Sequence, residues 1–501
     1  VKDAFDPQGL LNPGKIVRPS KMDERSLFRF KPGYRQVPVD TVLDWSEWGS
    51  FASAAEMCNN NGACRKSDPG VMCPSYRATG DEQHLTRGRA NTLRLALSGQ
   101  FGPDALASDE MRATLDLCIS CKGCKRECPT GVDMARMKIE FLHHYRKSHA
   151  LTARDRLIAY LPRYAPYASR AAALLNLRNR SPGLAQLGER LLGFSKQRPL
   201  PRWSSRPYRG AGPHPDPPPL AGEVDSTAAA GSKSPPPQAG EGWVGAAGRE
   251  VILLVDTFNR YFEPENARAA ERVLTRAGYR VRTPEPGVGR PLCCGRTFLA
   301  AGLVEEARRE ARRMLDALAA DIAAGTPVVG LEPSCLLTLR DEFPAMLPGA
   351  ETAALARNAV LFEEFVAAER AAGRFALPLA PMPGCNALLH GHCHQKAFGT
   401  AAAAVQALQL IPELKVASFD STCCGMAGSF GYEAEHYDMS LKIGELGVLP
   451  QMRAAQPDTI LAACGTSCRH QIADVAGRDA RHIVRILDEA SAAAPAGASG
   501  F

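Results

Sequence analysis

From residue 249 onward, short apolar runs alternate with longer stretches of helical period, and the whole order occurs twice. Arg249 to Asp256 reads as a buried strand, Glu265 to Ala277 as a helix and Tyr279 to Thr283 as a second strand. Leu303 to Ala320 then reads as a helix and Pro327 to Leu331 as a strand. In the second copy Leu388 to His392 is apolar, Thr400 to Leu410 helical and Leu414 to Phe419 extended. Tyr432 to Leu446 follows as helix and Thr459 to Ala463 as strand. Ala356 to Val360 and Ala480 to Val484 match as closing helices. Strands alternating with helices predict two tandem α/β units, over 249–375 and 380–492.

Upstream the pattern changes. Residues 204–248 carry the runs Pro217-Pro218-Pro219 and Pro235-Pro236-Pro237 among Gly, Ala and Ser, with no apolar period, and predict a disordered linker. Residues 151–203 read as a basic helical connector: 151–209 hold twelve Lys or Arg against two Asp or Glu, a surplus larger than the +7 of the entire chain. Interleaved with Leu, Tyr and Ala, these charges suit either an anionic membrane surface, an acidic partner or a solvated helical face. No stretch approaches the ~18 apolar residues that span a bilayer. The expectation is a cytoplasmic protein, with peripheral contact at the inner membrane surface as its one membrane option. The chain opens at Val1 rather than Met, so the natural start is expected further upstream.

Composition changes the picture through one residue type. Apolar residues make up 45% and charged residues 23%, ordinary for a folded protein, but there are sixteen Cys. A chain of 501 residues does not need disulfide staples, and neighbouring pairs such as Cys293-Cys294 and Cys423-Cys424 make poor crosslinks. The thiols are therefore read as metal ligands. They fall into two groups, Cys58 to Cys128 and Cys293 to Cys468, on either side of the linker.

Cys118-x2-Cys121-x2-Cys124-x3-Cys128-Pro129 strings four thiols more tightly than structural zinc sites do, and it resembles the bacterial two-cluster ferredoxin motif. Upstream, Cys58-x5-Cys64-x8-Cys73-Pro74 looks like its partner, but Asn61 stands where a second Cys would fall. The resemblance implies an α-helical two-cluster ferredoxin-like domain over 40–150. By the family's swap, Cys118, Cys121 and Cys124 join Cys73 on one 4Fe-4S cluster. Cys58, Cys64 and Cys128 are left for a second centre: three-iron, four-iron with a non-Cys ligand, or none. Arg87, Arg89, Lys122, Lys125 and Arg126 lie in or between the motifs, as ordinary surface charges or as charges that raise a cluster's potential.

Cys293-Cys294-Gly295 with Cys335, and Cys393 with Cys423-Cys424-Gly425, Cys464 and Cys468, resemble the cysteine-rich CCG domain of heterodisulfide reductase and related iron–sulfur proteins. The resemblance implies a non-cubane iron–sulfur cluster in the second unit. In the first, Thr257 or Phe258 takes the leading cysteine's place and Leu331 that of Cys464, so this copy reads as either a metal site or a degenerate structural one. His390, His392 and His394 are candidates for a ligand or proton relay beside Cys393, while Cys385 reads as a small buried hydrophobe.

Phe5 to Ile16, through Asn12-Pro13-Gly14, is similar to the closing segment of FAD-linked oxidases, so 1–20 is expected to be the tail of such a domain. The succession of modules resembles fused oxidases of the glycolate, D-lactate and D-2-hydroxyglutarate type. That resemblance implies an FAD domain or subunit upstream, Asn12, Pro13 and Gly14 near the flavin, and an oxidoreductase on CH–OH donors. Electrons would then leave through iron–sulfur clusters to an acceptor such as quinone, with no role for nucleic acid. Two rivals remain open from sequence: a heterodisulfide-reductase-like enzyme with catalysis at the CCG cluster, and a zinc-bound interaction scaffold.

Overall fold

The computed structural model describes residues 1–67, 70–210, 249–284 and 289–494. The chain is multidomain and mostly helical, with two small parallel sheets.

The part before the connector is built of helices. Phe51–Glu56, Thr86–Leu97, Asp109–Asp116 and Met134–Ser148 carry its core, and the caps explain most of the starts: Ser50, Ser108 and Asp133 each accept a backbone N–H of the first turn. Thr86–Leu97 has no capping side chain; the residue before it is Leu85, fully buried. Glu140, fully buried on the last helix, accepts from the N–H groups of Val42 and Leu43 at 2.9 and 3.0 Å and from the Trp45 indole at 3.0 Å. One carboxylate thus pins residues 42–45, the buried Trp45 among them, to the helix that carries the fully buried Phe141.

Each downstream unit holds a four-stranded parallel sheet of the same order. In the first, β1 (Glu250–Leu254) lies between β2 (Arg280–Arg282) and β3 (Val328–Gly330), with β4 (Ala359–Leu361) beyond β3. In the second, β5 (Asn386–His390) lies between β6 (Lys415–Ser418) and β7 (Ile460–Ala463), with β8 (Ala480–Arg481) outermost. Helices cover both faces, so the central strands are apolar along their middles, Val251 to Leu254 and Ala387 to Leu389, with polar residues at the ends.

The closing segments differ from expectation. Ala359–Leu361 and Ala480–Arg481 are strands, and the closing helices Phe362–Ala371 and Ile483–Ala492 start after them. Ala359 therefore matches Ala480, three residues out of step with the pairing read from the sequence; small and β-branched residues at a strand-to-helix junction suit either state.

The units pack reciprocally. Pro264–Arg276, after β1, meets the closing helix Ile483–Ala492, and Ala401–Leu408, after β5, meets the closing helix Phe362–Ala371. Arg272 and Arg276 both reach Asp488 across the first of these contacts, at 2.6 and 2.9 Å. This exchange of equivalent helices gives the pair a pseudo-two-fold arrangement.

Most of the linker expected at 204–248 lies outside the described residues. Its first part, 204–210, is not loose: Ser204 N–H donates to Tyr261 O at 2.8 Å, and Tyr208 is buried with its hydroxyl on Glu271 and Thr283. An aromatic side chain here overrides the local Pro/Ser composition.

Candidate metal centres

In a parallel α/β sheet the loops after the carboxyl ends of the strands, where the chain order reverses, are the natural binding edge. All the candidate cysteines of the two units lie in these loops or the helices they open, Cys464 directly after β7. Cys293 and Cys294 follow β2 and Cys335 follows β3; Cys393 follows β5, Cys423 and Cys424 follow β6, and Cys468 follows β7.

In the second unit, the thiols of Cys393, Cys423, Cys424 and Cys468 hydrogen-bond in series, all buried. Gly425 lets the pair turn inward: its φ is +89°, and a Cβ there would stand 2.1 Å from Ser440 O. Cys464 is not in this group. Along β7 the side chains alternate, so Ile460, Ala462 and Cys464 enter the core shared between the sheets while Leu461 and Ala463 face the Cys468 side. The Cys464 thiol bonds Glu363 and Gln395 instead, and burial pushes the Glu363 carboxyl up to about 8.

Around the four thiols, His390 Nε2, His394 Nδ1 and Thr422 Oγ1 are buried without a partner among the described residues. His390 Nε2 and Thr422 Oγ1, as buried donors without partners beside thiols, fit a bound group with sulfide acceptors, whereas His394 gives its one proton to Ser120 O and leaves Nδ1 an acceptor. Of the histidines, His390 is held neutral, pushed down to about 3 by burial and then by Lys396. His392 Nδ1 caps its own helix by accepting from the N–H of His394 at 3.1 Å. His394 Nε2 lies 3.1 Å from Ser120 O, between two cysteines of the upstream motif.

In the first unit Cys293, Cys294 and Cys335 also hydrogen-bond in series. Thr257 holds the place of Cys393, at the start of Thr257–Tyr261, and Leu331 that of Cys464. Asp256 caps this helix, and burial followed by the nearby Glu332 pushes its carboxyl up to about 6.

Upstream, two separated motifs meet. Cys73, Cys118, Cys121 and Cys124 converge on one small pocket with Thr86, Arg89 and Lys122. The Cys73 sulfur accepts from Thr86 N–H at 3.2 Å, and burial pushes its thiol up to about 11. Burial, then Cys393, Cys124 and Cys73, push the Cys121 thiol well above its usual value. Four sulfurs converging on one pocket are the donor set that, as thiolates, a cationic cluster core needs.

The remaining three are more spread. Cys58 and Cys64 are buried neighbours, and burial and then Cys58 raise the Cys64 thiol, whereas Cys128 is half-buried with its sulfur 3.3 Å from Thr130 Oγ1. Asn61 is exposed and turns its amide to Asn59 and Ala63; it is Asn60, at φ +63°, whose oxygen lies 3.8 Å from the Cys58 sulfur. Cys385 is half-buried at the edge of the inter-sheet core. Asn12, Pro13 and Gly14 lie on exposed chain.

Of the basic residues read as potential tuners, Arg89 is buried and donates to Thr114 O and Ser75 Oγ in the cavity wall. Lys122 and Lys125 both pair with Asp341 of the first unit, and Lys122 also with Glu342 at 2.6 Å. Arg87 pairs with Glu82, and Arg126 is exposed. Sequence reading missed Lys138, whose ammonium donates to Asp116 O and Cys118 O at 3.1 and 2.7 Å. It missed Arg198 as well, fully buried against Gln471, Asp474 and Met426. Neither is near a cysteine in sequence, so spacing carried no signal.

A 4Fe-4S dicluster domain family matches residues 54–132, and a cysteine-rich domain family matches 257–340 and 381–473. The chain is 28% identical over 531 aligned residues to a D-2-hydroxyglutarate dehydrogenase of Escherichia coli K12, covering 98% of this chain and 48% of that protein. It is 29% identical to the enzyme of the same name from Pseudomonas putida, covering 97% and 48%. One component of the anaerobic glycerol-3-phosphate dehydrogenase of E. coli K12 is 27% identical over 244 residues, 48% of this chain and 59% of that component. The chain thus spans about half the length of the D-2-hydroxyglutarate dehydrogenases it matches. No solved structure matches it. The chain thus carries a match to the 4Fe-4S dicluster domain family followed by two matches to the cysteine-rich domain family.

Proposed function

We infer that the chain is the electron-transfer portion of a flavin-dependent 2-hydroxy-acid dehydrogenase. Joined to an FAD domain or subunit it serves an oxidoreductase on CH–OH donors, delivering electrons to an external acceptor such as a quinone. One observation carries this reading: Cys73, Cys118, Cys121 and Cys124 line a single pocket, and the helix Gly123–Glu127 that follows Cys121 packs against the helix Cys393–Phe398 of the second unit.

Cys73, Cys118, Cys121 and Cys124 would hold a 4Fe-4S cluster, and Cys393, Cys423, Cys424 and Cys468 a non-cubane one. Cys58, Cys64 and Cys128 are the candidate set for a second ferredoxin-type cluster, and Cys293, Cys294 and Cys335 for a centre in the first unit. Clusters of this kind, when bound, supply one-electron transfer. The chain's own residues set the conditions: Arg89, Lys122 and Lys138 bring positive charge to the Cys73–Cys124 cavity, and Thr86 donates to Cys73. Burial keeps water from the thiols of both sets except Cys121, which is half-buried.

The test is oxygen-free purification followed by iron, zinc and acid-labile sulfide analysis and electron paramagnetic resonance. The expected result is iron with sulfide and at least one paramagnetic centre on reduction, one of which Cys121→Ser removes or alters. Stoichiometric zinc with no paramagnetic centre in any oxidation state overturns the reading.

A further inference from the structure

The basic connector has its hydrophobicity inside out. Between Ala153 and Leu192 the chain forms four short α-helices, Ala153–Ala159, Leu161–Ala168, Ala172–Leu175 and Pro182–Leu192, interrupted by 3-10 turns. The residues they bury are mostly small: Ala159, Ala165, Ala172 and Ala185. The large apolar side chains face outward instead, with Tyr167, Leu174 and Leu191 exposed by 68%, 67% and 69%. On Pro182–Leu192 the exposed Leu184, Leu187 and Leu191 fall at i, i+3 and i+7, one stripe of a helix. Scattered exposed leucines are ordinary; a stripe of them on one helix, with more large apolar side chains exposed on the helices before it, is not.

Charge decides what covers this face. Arg156, Arg170, Arg180 and Arg190 are exposed and have no acidic partner among the described residues. The two acids of the connector are already engaged, Asp155 with Arg146 at 2.7 Å and Glu189 with Lys196 at 3.2 Å. Through Arg163 the face continues into an open cleft lined by Arg290, Arg308, Arg309, Arg312 and Arg313, more guanidiniums than the acids Glu305, Glu306, Glu310 and Glu351 that pair with them. An apolar interfacial partner studded with negative charge satisfies both features at once. No helix among the described residues is long and apolar enough to cross a membrane, so the contact is with a surface rather than a span.

We propose that the outward face of residues 153–192 docks on an anionic lipid bilayer, its leucines entering the headgroup boundary and its free arginines pairing with lipid phosphates. The inference goes beyond the electron-transfer reading and is independent of which clusters are bound.

The test is co-sedimentation of the full, oxygen-free chain with vesicles of phosphatidylcholine alone or mixed with phosphatidylglycerol. Binding is expected to the mixed vesicles and to fall as salt is raised. Arg180→Gln and Arg190→Gln are each expected to weaken it roughly fivefold, and Leu187→Glu with Leu191→Glu by tenfold or more. Visible absorbance and the thermal transition of each variant report that the fold is intact. The proposal is overturned by equal binding of the leucine variant, by equal binding to both vesicle types, or by no binding at low salt. It is also overturned if the leucine variant dissolves a dimer of the chain, since a second copy would then be the occupant.

Discussion

At the scale of single residues, the centres depend on a few buried charges and one turn. Lys122 is buried between Asp341 and Glu342, with Phe398 beneath it at 5.5 Å. Replacing it by Met takes away the one buried cation shared by both carboxylates and leaves Asp341 to Lys125 and Glu342 to Arg296, which costs about 1–3 kcal/mol. Lys122→Met is therefore expected to lower the denaturant midpoint sharply, and a midpoint within error of the parent would refute this account of the site. Gly425→Ala must place a Cβ into Ser440 O at a positive φ. The expected outcome is loss of iron from the second unit with the signal of the Cys73–Cys124 site retained, read by paramagnetic resonance.

Among elements, the decisive contacts join helices distant in sequence. His436 bridges Asp116, at the end of Asp109–Asp116, and Glu433 of the second unit, at 2.8 and 2.7 Å. Burial opposes its charged form, but the bonds to Asp116 and Glu433 outweigh burial and raise it from 6.5 to about 9. A group raised in the folded state stabilises fully below its unfolded value and loses that contribution as pH climbs through the folded one. Stability should thus fall between pH 6.5 and 9 by about 3 kcal/mol at most. His436→Gln should flatten this slope in melts recorded across the range, and an unchanged slope would assign the effect elsewhere.

For the whole molecule, the arrangement brings the helix Gly123–Glu127 of the upstream domain against Cys393–Phe398 of the second unit. Gly123 lets the same helix close on the segment before Cys73, since a Cβ there would stand 2.9 Å from Met72 N. The charge pairs of Lys122 and Lys125 hold the same loop to the first unit. If this is the electron route, Cys393→Ser should leave the Cys73–Cys124 centre reducible but slow delivery from the flavin portion to a quinone analogue at least tenfold in stopped-flow mixing. Undiminished delivery would mean that electrons leave without the second unit.

Much of this was legible in the amino-acid order alone. The repeat of strand, helix and Cys-Cys-Gly announced two α/β units because period and spacing are local properties of a chain, and the run Cys118 to Cys128 declared its chemistry because four thiols that close have few other uses. Even the exclusion of Cys464 was latent in the alternation along Ile460–Ala463, although spacing alone grouped it with Cys468. The fourth strands, the docking of 204–210 and the charges of Lys138 and Arg198 were not legible, since each is fixed by partners in other segments. Local pattern thus determined which elements form and which chemistry they carry. Only the packing of one domain on another decided which thiols share a cavity and which charges surround them, because electrostatic and steric contacts act through space, not along the chain.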